Sequence, residues 1–272
     1  MYEAHWRLAR RPFENQTTAE FYYPGESHQG ALLKLRYAVE NARDAALLAG
    51  AAGLGKTLLL RTLLKQLPEE FSPRVHLVFP RMPEEQLLAT LAEGLDGQTG
   101  EPAKDIHTSL RRIEQALARA AEEGRRPVVV IDEAHTLRQT GGLETLRLLL
   151  NLQVEERTAL SLILCGQPSL LTALDRLPDL EQRLGVKCLL RPFHLEETVS
   201  YVRHRLAAAG AERGIFDDSA LESLHLLSQG IPRPINRLGD LALHIGVAEE
   251  RKSITSEQVE AVAGELVAIR AD

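Results

Sequence analysis

The stretch GAAGLGKT at residues 50–57 constrains this chain more than any other feature. It matches the pattern G-x-x-x-x-G-K-[ST], and it lies between the apolar run Ala45–Ala49 and the helical sequence LLLRTLLKQL. Glycines in such a loop allow backbone N–H groups to point inward at phosphate oxygens, and the N-terminus of the following helix adds a favourable dipole. The stretch therefore predicts a strand, a phosphate-binding loop and a helix, in that order.

The residues of this loop have separate expected roles. Lys56 is expected to reach the β- and γ-phosphates of ATP, and we expect its ammonium group to be accessible when no nucleotide is bound. The hydroxyl of Thr57 is expected to be a ligand of Mg²⁺. The residues expected to surround the nucleotide are Gly50, Ala52, Gly53, Leu54, Gly55, Lys56, Thr57 and Leu58.

Four further apolar runs are expected to form strands together with Ala45–Ala49. They are continuously apolar, which is typical of a parallel sheet that is covered on both faces. These runs are Val75–Phe79, Val128–Ile131, Leu160–Cys165 and Val186–Leu190. Because helical patterns such as Leu110–Ala121 lie between them, the sequence predicts an α/β layered core.

The strand signals stop after Pro192, and only helical patterns follow. We expect helices at about 196–209, 217–229, 234–249 and 255–268. The sequence therefore predicts an α/β nucleotide-binding domain over residues 1–194 and an all-helical domain over residues 195–272.

An acidic pair follows the apolar run in VVVIDE, residues 128–133. A buried strand would deliver Asp132 and Glu133 at its carboxyl end, where ligands of open α/β sheets bind. We expect Asp132 to hold Mg²⁺, directly or through water, and Glu133 to act as the general base for the attacking water. The alternative is that the pair only caps a helix. His135 completes the letters DEAH, which also occur in helicases. Such helicases need two α/β domains of this kind, and this chain has room for one, so we expect a structural or loop-positioning role for His135.

Two further side chains are candidates for the hydrolytic step. Gln167 ends the run LSLILCGQP, and its amide at a strand tip can hydrogen-bond the attacking water and the γ-phosphate, or it simply begins a loop. Arg183 precedes the fifth apolar run and is a candidate arginine finger that points into a neighbouring subunit's site. Arg176 is the second choice, and a solvated surface arginine is the alternative for both.

Arg233 stands between two prolines in GIPRPINRLGD, residues 230–240. Pro234 suits the first turn of a helix, so the arginine is expected at a helix N-terminus. A cation there meets the positive end of the helix dipole, at a cost of about 0.3–1 kcal/mol. This placement is understandable if Arg233 contacts an anion, and we expect that anion to be the γ-phosphate of ATP.

The composition sets limits on the remaining function classes. The net charge is −6, which argues against non-specific nucleic-acid binding by the whole surface. Three arginine pairs, at residues 10–11, 111–112 and 125–126, could still form a phosphate-contacting track.

The two cysteines are expected to be buried free thiols. No apolar run approaches the roughly 20 residues of a membrane span, so we expect no span in this chain and a cytoplasmic location.

Together these motifs resemble the AAA+ ATPases, and within them the general secretion pathway protein A group. The residues that carry this resemblance are Pro12-Phe13, Phe21-Tyr22, Ser27-His28-Gln29, Leu32, Leu35, GAAGLGKT, DEAH, Gly166-Gln167-Pro168 and Gly230-Ile231-Pro232-Arg233. The resemblance implies a five-stranded sheet in the order 5-1-4-3-2, a helical lid, and an adenine pocket lined by residues around 21–36. It also implies Mg-ATP hydrolysis by a nucleotide-dependent homo-oligomer that remodels or assembles a protein partner in a bacterial secretion-related system.

Two other readings remain open. A transposition-helper AAA+ ATPase that polymerises on DNA would share the core motifs, although DNA is not the favoured partner. A nucleotide-gated signalling switch of the STAND type would share the G-x-P of residues 230–232. The arginine that follows that proline favours a hydrolase.

Overall fold

The computed structural model describes residues 2–14, 21–98, 105–154 and 157–271. Its seven strands are β1 (Ala45–Ala49), β2 (Arg74–Leu77), β3 (Val128–Ile131), β4 (Gln153–Val154), β5 (Arg157–Thr158), β6 (Ser161–Gly166) and β7 (Leu184–Leu189). The helices before β7 are α1 (Glu3–Trp6), α2 (Glu26–Glu40), α3 (Lys56–Gln66), α4 (Glu84–Asp96), α5 (Ile106–Glu122), α6 (Gly142–Leu149), α7 (Ser169–Leu174) and α8 (Pro178–Gln182). A 3₁₀ helix covers Ala134–Gln139, and the helices after β7 are α9 (Leu195–Ala208), α10 (Asp218–Ser228), α11 (Pro232–Ala248) and α12 (Ser256–Ala271).

The expected α/β architecture with a parallel five-stranded sheet is confirmed. Its order is β2-β3-β6-β1-β7, and every neighbouring pair is parallel. The strand numbers differ from those expected because the short antiparallel hairpin β4–β5 lies outside this sheet. When only the five strands of the sheet are counted, the order reads 5-1-4-3-2 from the β7 edge.

The most apolar strands occupy the middle of the sheet. Every residue of β1, β3 and β6 is buried, whereas the edge strand β7 has exposed and buried positions. Ala49 pairs with Gly166, and Ile131 pairs with Leu164. Since parallel strands end at the same edge of a sheet, β1, β3 and β6 present their carboxyl ends together, which positions the residues that follow them.

The described residues group into two units. The sheet unit comprises residues 27–52 and 59–190, and the helical unit comprises residues 1–26, 53–58 and 191–272. This grouping differs from the predicted linear boundary near residue 194, because the N-terminal segment and part of the phosphate loop join the C-terminal helices.

The N-terminal segment belongs to the helical unit because its large side chains are buried there. Trp6 is only 1% exposed, and its indole Nε1 donates a hydrogen bond to the carbonyl oxygen of Leu243 over 3.0 Å. The buried guanidinium of Arg205 donates to the carbonyl oxygens of Pro12 and Glu14, each over 2.6 Å. A linear boundary could not include these contacts, because the partners are about two hundred residues apart in sequence.

Candidate nucleotide site

The phosphate loop has the backbone that its glycines allow. Gly53 and Gly55 have φ values of +85° and +88°, a region that side-chain-bearing residues rarely adopt. Helix α3 then begins at Lys56, and its first turn contains no acidic residue. A loop of this backbone that leads directly into a helix N-terminus suits an anion, because N–H groups and the helix dipole act in the same direction.

Two side chains of the loop are more enclosed than the sequence indicates. Lys56 is 5% exposed, so the expectation of an accessible ammonium group is wrong in this structure. Lys56 is the first residue of α3, whereas Lys65 in the last turn of the same helix is exposed. Leu54 is 1% exposed, whereas Thr57 and Leu58 are partly buried.

The two acidic residues after β3 differ in accessibility. Asp132 is 1% exposed, and its Oδ1 accepts a hydrogen bond from the backbone N–H of Glu133 over 2.9 Å. The side chain of Glu133 is 43% exposed. Glu133 also has φ +50°, and Thr136 holds this turn because its N–H and its hydroxyl both donate to the carbonyl oxygen of Glu133. A non-glycine residue in this region is uncommon, and such residues cluster at functional sites.

The end of β6 lies against the segment that follows β3. Gly166 accepts a hydrogen bond from Gly50 N–H over 3.2 Å, so the strand tip reaches the start of the phosphate loop. Gln167 follows it and is partly buried. A Cβ atom at Gly166 would lie 3.2 Å from the backbone nitrogen of His135 and 3.3 Å from its Nδ1, which is tighter than most Cβ contacts, so glycine favours this close approach.

His135 is the residue whose importance the sequence does not reveal. Its Nδ1 lies 3.4 Å from Oε2 of Glu133 and 3.5 Å from the backbone nitrogen of Gln167. The expected structural or loop-positioning role is compatible with both distances. The sequence signal was the DEAH motif itself, but that motif does not show that the next strand ends against the histidine.

Arg183 does not point outward from its unit. Its Nη1 donates to the carbonyl oxygen of Leu150 over 2.8 Å, and its Nη2 donates to the side-chain oxygen of Asn151. The side chain is 30% exposed, with Oδ2 of Asp44 at 3.9 Å. Arg176, which follows α7, is exposed. The structure therefore ties the first candidate for a finger to its own chain and leaves the second at the surface.

Arg233 lies in the first turn of α11, in the same unit as residues 53–58. Its backbone N–H donates to the carbonyl oxygen of Gly53 over 3.3 Å. A Cβ atom at Gly53 would lie 3.0 Å from Cβ of Arg233 and 3.2 Å from Cγ2 of Ile231. The N-terminus of α11 therefore packs directly on the phosphate loop, as the sequence-based hypothesis requires, while the residue remains exposed.

The arginine pairs considered as a DNA track are largely engaged within the chain. Arg112 forms an ion pair with Asp96 at 2.7 Å, and Arg126 donates to the carbonyl oxygens of Thr158 and Leu160. The other engaged members are Arg10 with the Ala208 carbonyl, Arg11 with Glu3, and Arg125 with Glu123. This use of the guanidinium groups does not favour DNA binding.

The donor groups present suit Mg-ATP better than a metal held by protein alone. Among the described residues, no group of three or more His, Cys, Asp or Glu side chains could hold a metal ion. Mg²⁺ is commonly held by one or two protein oxygens together with substrate phosphates. Thr57 carries a hydroxyl in the first turn of α3, and Asp132 carries a buried carboxylate after β3, and each of them is an oxygen of this kind.

Two remaining sequence-based expectations concern the cysteines and the membrane. Cys165 and Cys188 are both buried and free, as expected, and burial raises the pKa of the Cys188 thiol to about 11. In the ranges that the structure describes, no helix is both long and apolar enough to cross a membrane.

Comparisons with known proteins agree with this architecture. Residues 39–174 match the family model described as "AAA domain". The chain is 35% identical over 272 residues to general secretion pathway protein A of Aeromonas hydrophila. The alignment covers 99% of this chain and 49% of that protein. The chain thus spans about half the length of this curated relative.

Solved structures share the fold at low sequence identity. The ORC2 protein of Aeropyrum pernix, solved in ADPNP–ADP complexes, superposes with a TM-score of 0.68 at 19% identity, over 94% of this chain and 71% of that one. Cdc6p from Pyrobaculum aerophilum gives a TM-score of 0.72 at 17% identity, over 93% of this chain and 70% of that one. The family is shown by the AAA domain model, which matches half of the chain, and by the identity to the curated relative: the chain belongs to the AAA+ ATPases, in the general secretion pathway protein A group.

Proposed function

We propose that this chain binds and hydrolyses Mg-ATP and uses the cycle to remodel or assemble a protein partner. The observation that carries the proposal is the phosphate loop, in which two glycines at positive φ lead into a helix that begins with Lys56. In this proposal Lys56 contacts the β- and γ-phosphates, and backbone N–H groups of the loop surround them.

Hydrolysis requires groups at the carboxyl ends of β3 and β6. Thr57 and Asp132 would hold Mg²⁺, which when bound neutralises negative charge on the phosphates. Glu133 would accept a proton from the attacking water, because it is the accessible member of the acidic pair. Gln167 would orient that water and the γ-phosphate from the neighbouring strand end. The shared sheet edge supports this division of roles.

Arg233 would distinguish ATP from ADP. Its backbone hydrogen bond to Gly53 fastens the start of α11 to the phosphate loop. Its flanking prolines restrict the backbone, so little conformational entropy is lost when the side chain contacts a phosphate. A charge-assisted hydrogen bond of this kind contributes about 1.5–3 kcal/mol, and only the triphosphate would receive it.

Self-association would complete the site through an arginine from a neighbouring copy. Arg183 was the first candidate, but it is bonded to Leu150 and Asn151 of its own chain. Arg183 would have to break these hydrogen bonds in order to reach a neighbouring copy. Arg176 is already exposed at the surface, which favours it for this role. In this proposal the chain forms a nucleotide-dependent homo-oligomer.

The partner is proposed to belong to a bacterial secretion-related system. This part rests on the similarity to general secretion pathway protein A, of which the chain spans 49%.

Nucleotide titration and phosphate release test the proposal directly. Wild-type protein is compared with Lys56→Ala, and Lys65→Ala serves as a matched control because it removes an exposed lysine from the last turn of the same helix. We expect Lys56→Ala to lose at least about tenfold in affinity for a fluorescent ATP analogue, because a charged hydrogen bond is removed. Lys65→Ala should bind as wild type. A thermal melt of each variant checks folding, since Lys56 is buried.

Thr57→Ala is an independent test of the same site. It should still bind nucleotide, but the dependence of binding and hydrolysis on Mg²⁺ should weaken. Unchanged affinity in folded Lys56→Ala, or no binding by wild type, would refute the assignment of the phosphate loop.

A further inference from the structure

One nitrogen atom lies between two groups that the proposed hydrolysis uses. His135 Nδ1 is 3.4 Å from Oε2 of Glu133 and 3.5 Å from the backbone nitrogen of Gln167. The side chain of His135 is 18% exposed, so most of the ring surface is covered by its surroundings. Gly166 allows this position, because a side chain there would meet both the backbone and the ring of His135.

The carboxylate of Glu133 and the backbone N–H of Gln167 require opposite hydrogen-bonding states of Nδ1. The carboxylate of Glu133 is an acceptor, so it requires a hydrogen on Nδ1, whereas the Gln167 N–H is a donor and requires a lone pair there. A neutral imidazole carries its hydrogen on only one of its two nitrogens. His135 can therefore bind the carboxylate in one tautomer or the tip of β6 in the other, but not both at once.

The tautomer of His135 affects the orientation of the Glu133 carboxylate. The Glu133 side chain is 43% exposed, and it stands on a backbone turn with φ +50°. An exposed carboxylate samples several rotamers unless a neighbour orients it, and a general base acts only within hydrogen-bond reach of its proton. Distances of 3.4 and 3.5 Å are long for hydrogen bonds, as is common at catalytic sites without substrate.

We propose that His135 is a positioning residue that orients the Glu133 carboxylate and, in its other tautomer, holds the tip of β6 at Gln167. The inference rests on the proposed ATP hydrolysis at Glu133. It predicts that turnover, and not nucleotide affinity, depends on a polar atom at the place of Nδ1.

Three substitutions at this position separate the proposal from a packing role. His135→Asn keeps a polar atom at the position of Nδ1, His135→Gln moves the amide to the position of Nε2, and His135→Leu keeps a branched side chain without polar atoms. Arg138→Ala is the control, because it removes an exposed side chain from the same 3₁₀ helix. The measurements are kcat, the affinity for a fluorescent ATP analogue, and thermal stability.

We expect kcat to fall by about tenfold or more in His135→Leu and His135→Gln, with ATP affinity within about twofold of wild type. His135→Asn should retain most of the activity, and Arg138→Ala should match wild type. If His135→Leu does not fold, the comparison of the Asn and Gln variants decides. Wild-type kcat in folded His135→Leu, or equal kcat in the Asn and Gln variants, would overturn the proposal.

A spectroscopic measurement separates this proposal from the proposed function. In ¹⁵N-labelled protein without nucleotide, Glu133→Gln should shift the Nδ1 resonance of His135, because the carboxylate acceptor is replaced by an amide. An unchanged resonance would refute the link between the two side chains. If wild type neither binds nor hydrolyses ATP, the proposed function fails, whereas this resonance still reports whether His135 contacts residue 133.

Discussion

The backbone N–H of Arg233 donates a hydrogen bond to the carbonyl oxygen of Gly53 over 3.3 Å. The two residues are 180 positions apart in sequence, yet a Cβ atom at Gly53 would lie only 3.0 Å from Cβ of Arg233 and 3.2 Å from Cγ2 of Ile231. The N-terminus of α11 is thus in direct contact with the phosphate loop. The same contact places an exposed cation beside the residues that are proposed to bind phosphate.

Arg233→Ala is expected to weaken ATP binding by about tenfold to a hundredfold, because a charge-assisted hydrogen bond to the γ-phosphate is lost. ADP affinity should change little. Arg237→Ala is the matched control, since it removes an exposed arginine one turn later on α11. Titration with fluorescent ATP and ADP analogues measures both affinities. Equal losses for the two nucleotides, or none for either, would contradict a contact with the γ-phosphate.

Glu133→Gln is expected to bind ATP and to hydrolyse it at least about a hundredfold more slowly, because the amide keeps the shape of the side chain but is not a base. Single-turnover hydrolysis and retention of labelled ATP on the protein measure the effect. Glu114→Gln, an exposed position on α5, should behave as wild type. Wild-type turnover in Glu133→Gln would remove this residue from the mechanism.

Specific ATPase activity is expected to rise with protein concentration, because the proposed finger arrives from a second copy. Mixing Arg176→Ala subunits with Lys56→Ala subunits should restore some activity at hybrid interfaces, and the same mixture with Arg183→Ala tests the other arginine. Arg183→Ala should also lower thermal stability, because it leaves the Leu150 carbonyl without its guanidinium donor. Activity per subunit that stays constant down to the monomeric range would exclude an arginine in trans.

Gly246→Ala is expected to destabilise the protein by about 1–3 kcal/mol, because overpacking forces its neighbours apart. A Cβ atom there would meet Cδ1 of Ile254 and would lie 2.7 Å from Cζ2 of Trp6. Gly264→Ala is the control within the same unit: apart from the backbone of its own helix, no described atom lies within 4 Å of the place of a Cβ there, so alanine should stabilise α12 by about 0.5–1 kcal/mol.

Denaturant unfolding followed by the fluorescence of Trp6, the single tryptophan of the chain, measures both glycine variants. The same stability for Gly246→Ala as for wild type would show that the N-terminal segment does not pack on α11 in solution.

The sequence alone determined the elements whose signals are local. Continuous apolar runs gave the strands β1 and β3 at the residues observed, because full burial on both faces leaves no polar position within a strand. The phosphate loop was equally readable, because its glycines, its lysine and its helix are adjacent in the chain. Asp132 and Glu133 could be assigned different roles by analogy, but the sequence did not show that one carboxylate is buried and the other accessible.

Only the tertiary structure decided which distant residues meet. Trp6 looks like part of an isolated N-terminal segment until α11 covers it, and Arg183 looks like a surface arginine until the carbonyl of Leu150 accepts its hydrogen bond. His135 acquires its place because β3 and β6 are neighbours in the sheet, which brings the tip of one strand to the turn that follows the other. Local patterns report the conformation of a short segment, whereas these contacts depend on how buried surfaces from remote segments pack together.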